Sequence, residues 1–288
     1  MGCIMMIKIE KQHFLRYPGG KQRIMGAILP YLPSRDQIKG RFVEPFLGGG
    51  SAFFAIQPKR AFLADINPDL IELYQEIKDH PKDVWDIFRR FPSTKEGYYQ
   101  VRNCNYKQEE VYFRAARTLY LNRTCFKGMW RHNSNGIFNV GYGGQSRRWV
   151  ISEDSLLEVS ERLRVSQLEC QDFQKTIESC NKSDFIFLDP PYKPGDRELS
   201  NPHYLSNKFS YNENVRLVNA LMAAHEQGIE WAMTISSHPD ILSLYKKIEN
   251  VQVIELKRGT GKLPGELITS PGECLICNYK TNVNEVKK

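Results

Sequence analysis

The 288-residue chain is 41% hydrophobic and 25% charged, and 40 Lys and Arg against 33 Asp and Glu leave a net charge of +7. That balance fits one large or two modest globular domains with real cores, and it excludes a disordered tail or a solenoid of roughly 20–50-residue repeats. No apolar run approaches the roughly 18 residues of a membrane span. The opening Met-Gly-Cys-Ile-Met-Met lacks the charge and apolar length of a signal peptide, and Met6 stands where myristoylation wants Ser or Thr.

In chain order, the first marked element is Tyr17-Pro18-Gly19-Gly20-Lys21, where two glycines allow close backbone approach to a ligand and Lys21 adds a cation. A strand-like run over 42–46 then leads into Phe46-Leu47-Gly48-Gly49-Gly50, a glycine turn spaced Phe-x-Gly-x-Gly. This is neither the dinucleotide fingerprint nor a phosphate loop. Such a turn is expected to bring backbone N–H groups and a helix N-terminus against a bound nucleotide or carboxylate. The next run, 61–65, ends in Asp65, placed to hold a ribose hydroxyl pair or to cap the helix that Asn67-Pro68 opens. Helical spacing follows over 70–77 and again over 111–121, 212–227 and 239–247; strand-like runs recur at 185–189, 231–235, 251–256 and 274–279. Alternating strands and helices predict an open, largely parallel α/β sheet. Between the second strand and the one ending at Asp189 the alternation breaks, which predicts a helical insertion with a loop or hairpin over 136–144.

The basic excess sits in that insertion. Residues 89–148 hold twelve Lys and Arg against three Glu, a net +9, so the remainder of the chain carries −2. Eleven aromatic residues are interleaved from Tyr98 to Trp149. Cations attract phosphates and planar groups stack on bases, so the segment is a candidate nucleic-acid interface. The seven cysteines fit a reducing cytoplasm, and Cys274-x-x-Cys277, lacking a second pair, reads as a buried strand rather than a metal site.

The last motif, Asp189-Pro190-Pro191-Tyr192, follows an apolar strand and so lies on the ligand side of an α/β sheet. Asp189 and the Pro190 carbonyl are acceptors for an NH2 group, and Tyr192 offers a flat face for its ring. The three motifs in this order resemble the Dam-type DNA adenine-N6 methyltransferases from about Arg16 to Tyr279. The stretches 119–123, 126–133 and 136–140 are similar to that family's target-recognition region.

The resemblance implies a Rossmann-like methyltransferase sheet formed by 1–80 and 165–288, with a mainly helical recognition domain inserted at 81–164. It implies S-adenosylmethionine bound by Tyr17, Gly20, Lys21, Glu44, Phe46, Gly48, Gly50, Asp65 and Asp189. Asp189, Pro190 and Tyr192 would hold an adenine flipped out of duplex DNA. Arg123, Lys127, Met129, Arg131, Asn133, Arg147 and Arg148 would contact DNA. Neither a metal nor a membrane is required. The implied partners are double-stranded DNA and, in a restriction-modification setting, a companion endonuclease; a cytoplasmic monomer is the default. No Pro-Cys is present to supply the thiolate that carbon-5 cytosine methylation needs. Cytosine-N4 methylation, which attacks an exocyclic amine by the same geometry, remains the alternative.

Overall fold

The computed structural model describes residues 14–17, 20–133, 136–191, 209–237, 239–259 and 267–281. Its strands are β1 (Phe42–Glu44), β2 (Ala61–Asp65), β3 (Ser166–Cys170), β4 (Phe185–Leu188), β5 (Glu230–Ser236), β6 (Gln252–Gly259) and β7 (Leu267–Cys277). Its helices are α1 (Met25–Ile28), α2 (Ser51–Ile56), α3 (Pro68–Asp79), α4 (Pro81–Arg90), α5 (Lys95–Asn103), α6 (Val111–Thr124), α7 (Glu153–Leu163), α8 (Phe173–Glu178), α9 (Tyr211–Glu226) and α10 (Pro239–Tyr245). Two compact units form: residues 19–71 with 165–288, and residues 1–18 with 72–164. Against the expected insertion at 81–164, the division falls inside α3, and residues 14–17 group with the helical unit.

The first unit is one seven-stranded sheet in the order β3-β2-β1-β4-β5-β7-β6. The β3-β2-β1-β4-β5 run is parallel, and β7 lies antiparallel to both β5 and β6. Every residue of β1, β2 and β4 is buried, as expected of parallel strands covered on both faces. The unpredicted β3 is an edge strand in which only Ser166 and Leu168 are buried, too little apolar signal to mark it in the sequence. Ile186, Leu188, Trp231, Met233, Leu221 and Ile276 join one buried apolar cluster. Cys274 and Cys277 are buried free thiols of β7. Strand order reverses between β1 and β4, so the crevice beyond their carboxyl ends is the ligand position of an open α/β sheet.

In the second unit α6 is the central helix: every residue from Ala115 to Thr124 is buried, polar ones included. Its polar groups are matched by backbone. Asn122 exchanges two hydrogen bonds with the backbone of Arg16, accepting from its N–H at 2.8 Å and donating to its carbonyl at 2.6 Å. Arg117 donates to the Val101 and Arg102 carbonyls at the end of α5, where a helix leaves acceptors unpaired and a cation meets the negative end of its dipole. Phe14 packs edge-on against Tyr74, 5.2 Å between ring centres.

Within the sheet unit, the entry to β4 is fixed by Asp184, whose side chain is 1% exposed. It accepts from the Arg41 backbone N–H (2.7 Å), the Arg41 guanidinium (2.8 Å) and Asn181. Burial would push this carboxyl up, but the hydrogen bonds from Arg41 and Asn181 prevail and hold it below its ordinary value. A depressed carboxyl contributes stability above its unfolded pKa, near 3.9, that is lost as pH falls through the folded value. Asp184→Asn is therefore expected to lower the unfolding free energy at pH 7 by about 1.5–3 kcal/mol. Denaturant titrations across pH should show that deficit shrinking below roughly pH 4; a deficit independent of pH would contradict the assignment.

Candidate active site

The glycine turn begins where β1 ends. Gly48 and Gly50 have φ of 46° and 64°, a region that side chains with a Cβ enter only at a cost. The turn does not present its donors to a ligand as the sequence suggested. The Gly48 N–H donates to Asp65 Oδ2 at 2.9 Å, the Gly50 N–H to the Leu47 carbonyl at 2.7 Å, and the Phe53 N–H, in the first turn of α2, to Glu44 Oε2 at 3.3 Å. The chain's own carboxylates take two of these donors. Asp65 also accepts the Asn67 N–H at 3.0 Å, whereas α3 itself is capped by Asn67 Oδ1, which takes the N–H groups of Asp69 and Leu70.

These contacts leave carboxylates at the carboxyl ends of adjacent strands. Glu44 is 2% and Asp65 8% exposed. Asp189, just beyond β4, accepts from Lys21 Nζ at 2.9 Å and from Thr234 Oγ1 at 2.6 Å, both on Oδ1. Lys21, 5% exposed and at the start of a 3-10 turn, also lies 3.9 Å from Glu273 of β7. Burial pushes the Glu44 carboxyl well up, and the nearby Asp189 and Asp65 charges push the same way. Burial raises Asp65 against its backbone donors. It also raises Asp189, against the pull of Lys21 and the Thr234 hydroxyl, with Glu273 adding to the rise. Among the described residues Lys21 is the buried cation of this cluster, and it pairs with Asp189 and Glu273.

Around it, Phe46 is half-buried and stacks on Phe173 with ring centres 5.2 Å apart, Pro190 is buried and Gly20 exposed. Tyr192 lies outside the described residues. Tyr17, half-buried, belongs to the helical unit. Thr234 and Glu273 were not singled out from sequence. Thr234 interrupts the apolar run Trp231–Ile235 of β5, which is the signal that could have marked it.

The residues expected on DNA separate into two sets. Arg123 is 3% and Arg148 0% exposed, which corrects their assignment as DNA contacts. Arg123 donates to the Arg147 carbonyl at 2.8 Å. Arg148 donates to the Phe88 carbonyl (2.7 Å) and the Pro92 carbonyl (3.1 Å), closing the end of α4, and its guanidinium lies 5.0 Å from the Tyr120 ring centre. A structural cation and a phosphate-binding cation are the same letter in a sequence. Lys127, Arg131, Asn133 and Arg147 are exposed and Met129 half-buried. The first three and Met129 lie on a folded-back segment closed by the bridges Cys125–Tyr142 and His132–Phe138. There Arg131 Nε donates to Asn139 Oδ1 at 2.9 Å, and Asn133 Oδ1 accepts the Ile137 N–H at 2.9 Å. Phe126, Ile137 and Trp149 are exposed aromatic or aliphatic groups of the same unit.

Among the described residues no cluster of His, Cys, Asp and Glu could hold a metal, and no helix is long and apolar enough to cross a membrane. The strand order and the carboxylates at its switch point define a Rossmann-like methyltransferase fold. Comparison with known proteins agrees: residues 17–260 match the D12 class N6 adenine-specific DNA methyltransferases. The chain is 31% identical over 270 residues to the type II methyltransferase M1.LlaDCHI of Lactococcus lactis, covering 91% of this chain and 93% of that one. It is 31% identical to the DNA adenine methylase of Haemophilus influenzae, covering 80% and 81%. It is 35% identical to the DNA N-6-adenine-methyltransferase of Escherichia phage P1, covering 82% of this chain and 31% of that one. The chain belongs to the D12 class and is an adenine-N6 DNA methyltransferase; cytosine-N4 transfer finds no support in these matches.

The division between buried and exposed arginines is testable. Arg148→Met leaves the Phe88 and Pro92 carbonyls without their donor, at about 1–3 kcal/mol for each buried group, so a melting temperature several degrees lower is expected by calorimetry. Arg131→Ala, at an exposed position, is expected to change stability by no more than about 0.5 kcal/mol and to weaken DNA binding. An Arg148→Met protein that melts normally yet binds DNA poorly would return Arg148 to the interface.

Proposed function

We propose that the protein transfers the methyl group of S-adenosylmethionine to the N6 amine of an adenine flipped out of duplex DNA, with Asp189 and Pro190 as acceptors for the amine. The observation that carries this reading is the gathering of Glu44, Asp65 and Asp189 at the carboxyl ends of β1, β2 and β4. Acidic side chains at these strand ends disfavour a phosphate-bearing cofactor, whereas S-adenosylmethionine carries a sulfonium and an ammonium beside a single carboxylate. Lys21, Glu44, Phe46, Gly48, Gly50, Asp65 and Asp189 are the residues proposed to line its site. When bound, it supplies an electrophilic methyl group, so the protein's own task is alignment. Acceptance of an N6 proton by Asp189 and by the Pro190 carbonyl turns the amine lone pair out of the ring plane. The elevated Asp189 carboxyl suits it to take up the proton that the methylated amine sheds.

DNA is proposed to be held by Lys127, Met129, Arg131, Asn133 and Arg147, with Phe126 and Ile137 able to wedge between bases. The type II relative supports a restriction-modification setting with a companion endonuclease. The free cysteines and the DNA substrate suit the cytoplasm. The test is to incubate the protein with duplex DNA and S-adenosylmethionine and to identify the methylated nucleoside by mass spectrometry. N6-methyladenine is expected and N4-methylcytosine would contradict the reading. Asp189→Ala is expected to lose transfer at least 100-fold while binding DNA normally in a filter or polarisation assay; undiminished turnover would remove Asp189 from the chemistry.

A further inference from the structure

We infer that Thr234 of β5 is a positioning residue for methyl transfer: together with Lys21 it fixes Asp189 through one carboxylate oxygen and so leaves the other free for the substrate amine. The inference rests on the proposed role of Asp189 as the acceptor of the N6 proton.

Thr234 is fully buried, and its neighbours on β5, Ala232, Met233 and Ile235, are all buried and apolar. A hydroxyl in such a place costs stability unless it is hydrogen-bonded, and valine would fill the same volume without that cost. The hydroxyl carries a single proton. Its short contact is with Asp189 Oδ1 at 2.6 Å, and the Leu188 carbonyl is distant at 3.4 Å. Lys21 Nζ reaches the same Oδ1 at 2.9 Å. Among the described residues Oδ2 has no partner. An ionised carboxylate has about four acceptor positions, so two donors on one oxygen do not saturate the group. They set its rotation about the Cβ–Cγ bond and thereby the direction in which Oδ2 points. Lys21 alone would not do this, because a flexible ammonium also drawn to Glu273 at 3.9 Å can follow the carboxylate as it turns. Thr234, β-branched and held in the centre of the sheet, cannot.

A carboxylate that rotates still binds the amine in some of its orientations, so losing the hydroxyl should reduce the fraction of productive complexes more than it reduces binding. Thr234→Val is expected to lower kcat about 10-fold in a methyl-transfer assay, with KM for DNA and for S-adenosylmethionine within twofold of the parent. Thr234→Ser, which keeps the hydroxyl, should recover kcat to within about threefold. The acid limb of the kcat profile should also move to higher pH in the valine variant. Ionised Asp189 loses a donor there while Lys21, Glu273 and Glu44 still face it. A valine variant with parental kcat, or a serine variant as slow as the valine one, would overturn the inference, as would a loss confined to KM. Asp189→Ala assayed beside them separates the two claims. An inactive alanine variant with a fully active valine variant sinks the role of Thr234 alone, whereas an active alanine variant sinks the reading of Asp189 on which it rests.

Discussion

The ion pair between Lys21 and Asp189 is the interaction on which the site depends. The two charges lie 2.9 Å apart at the carboxyl end of β4, with the Lys21 side chain 6% and the Asp189 side chain 20% exposed, so both are partly taken out of water. The pair ties the N-terminal 3-10 turn to the end of β4. It also opposes the upward push of burial on the Asp189 carboxyl. Glu273 on β7 and Thr234 on β5 converge on the same point, so four separated stretches of chain meet around one carboxylate.

The carboxylates of β1 and β2 extend this arrangement. In a dinucleotide-binding sheet the glycine turn offers its N–H groups to phosphate; here Asp65 and Glu44 occupy the Gly48 and Phe53 N–H groups. The exchange holds the turn in the geometry that its positive-φ glycines permit. The parallel sheet supplies only the platform, and the sign of the ligand is decided by which side chains end the strands.

Much of this was legible in the sequence, for particular reasons. The central strands are continuous apolar runs because both of their faces are covered, and the residues ending them are acidic in sequence as in space. The edge strand β3 was not legible, since two buried residues make no pattern. The partners of the Gly48 and Gly50 N–H groups were not legible either, because spacing reveals flexibility but not which donors are already taken. Thr234 was invisible as one polar residue in an apolar run, because its meaning comes from a partner 45 positions away. The helical unit carries the sharpest lesson. Its net +9 looked like one electrostatic surface, yet Arg117, Arg123 and Arg148 are buried against backbone carbonyls and are not presented to solvent. The exposed cations, Arg131 and Lys127 among them, remain as the smaller basic surface, interleaved with exposed apolar side chains.

One oxygen of Asp189 is held by Lys21 and Thr234, and the other is the one proposed to meet the base. A crystal structure of the protein with S-adenosylhomocysteine and a duplex containing its target adenine tests this most directly. The account requires the adenine N6 within hydrogen-bonding distance of Asp189 Oδ2, with Lys21 and Thr234 still on Oδ1. An N6 amine held by other groups, or an Asp189 turned so that both oxygens face the protein, would contradict it.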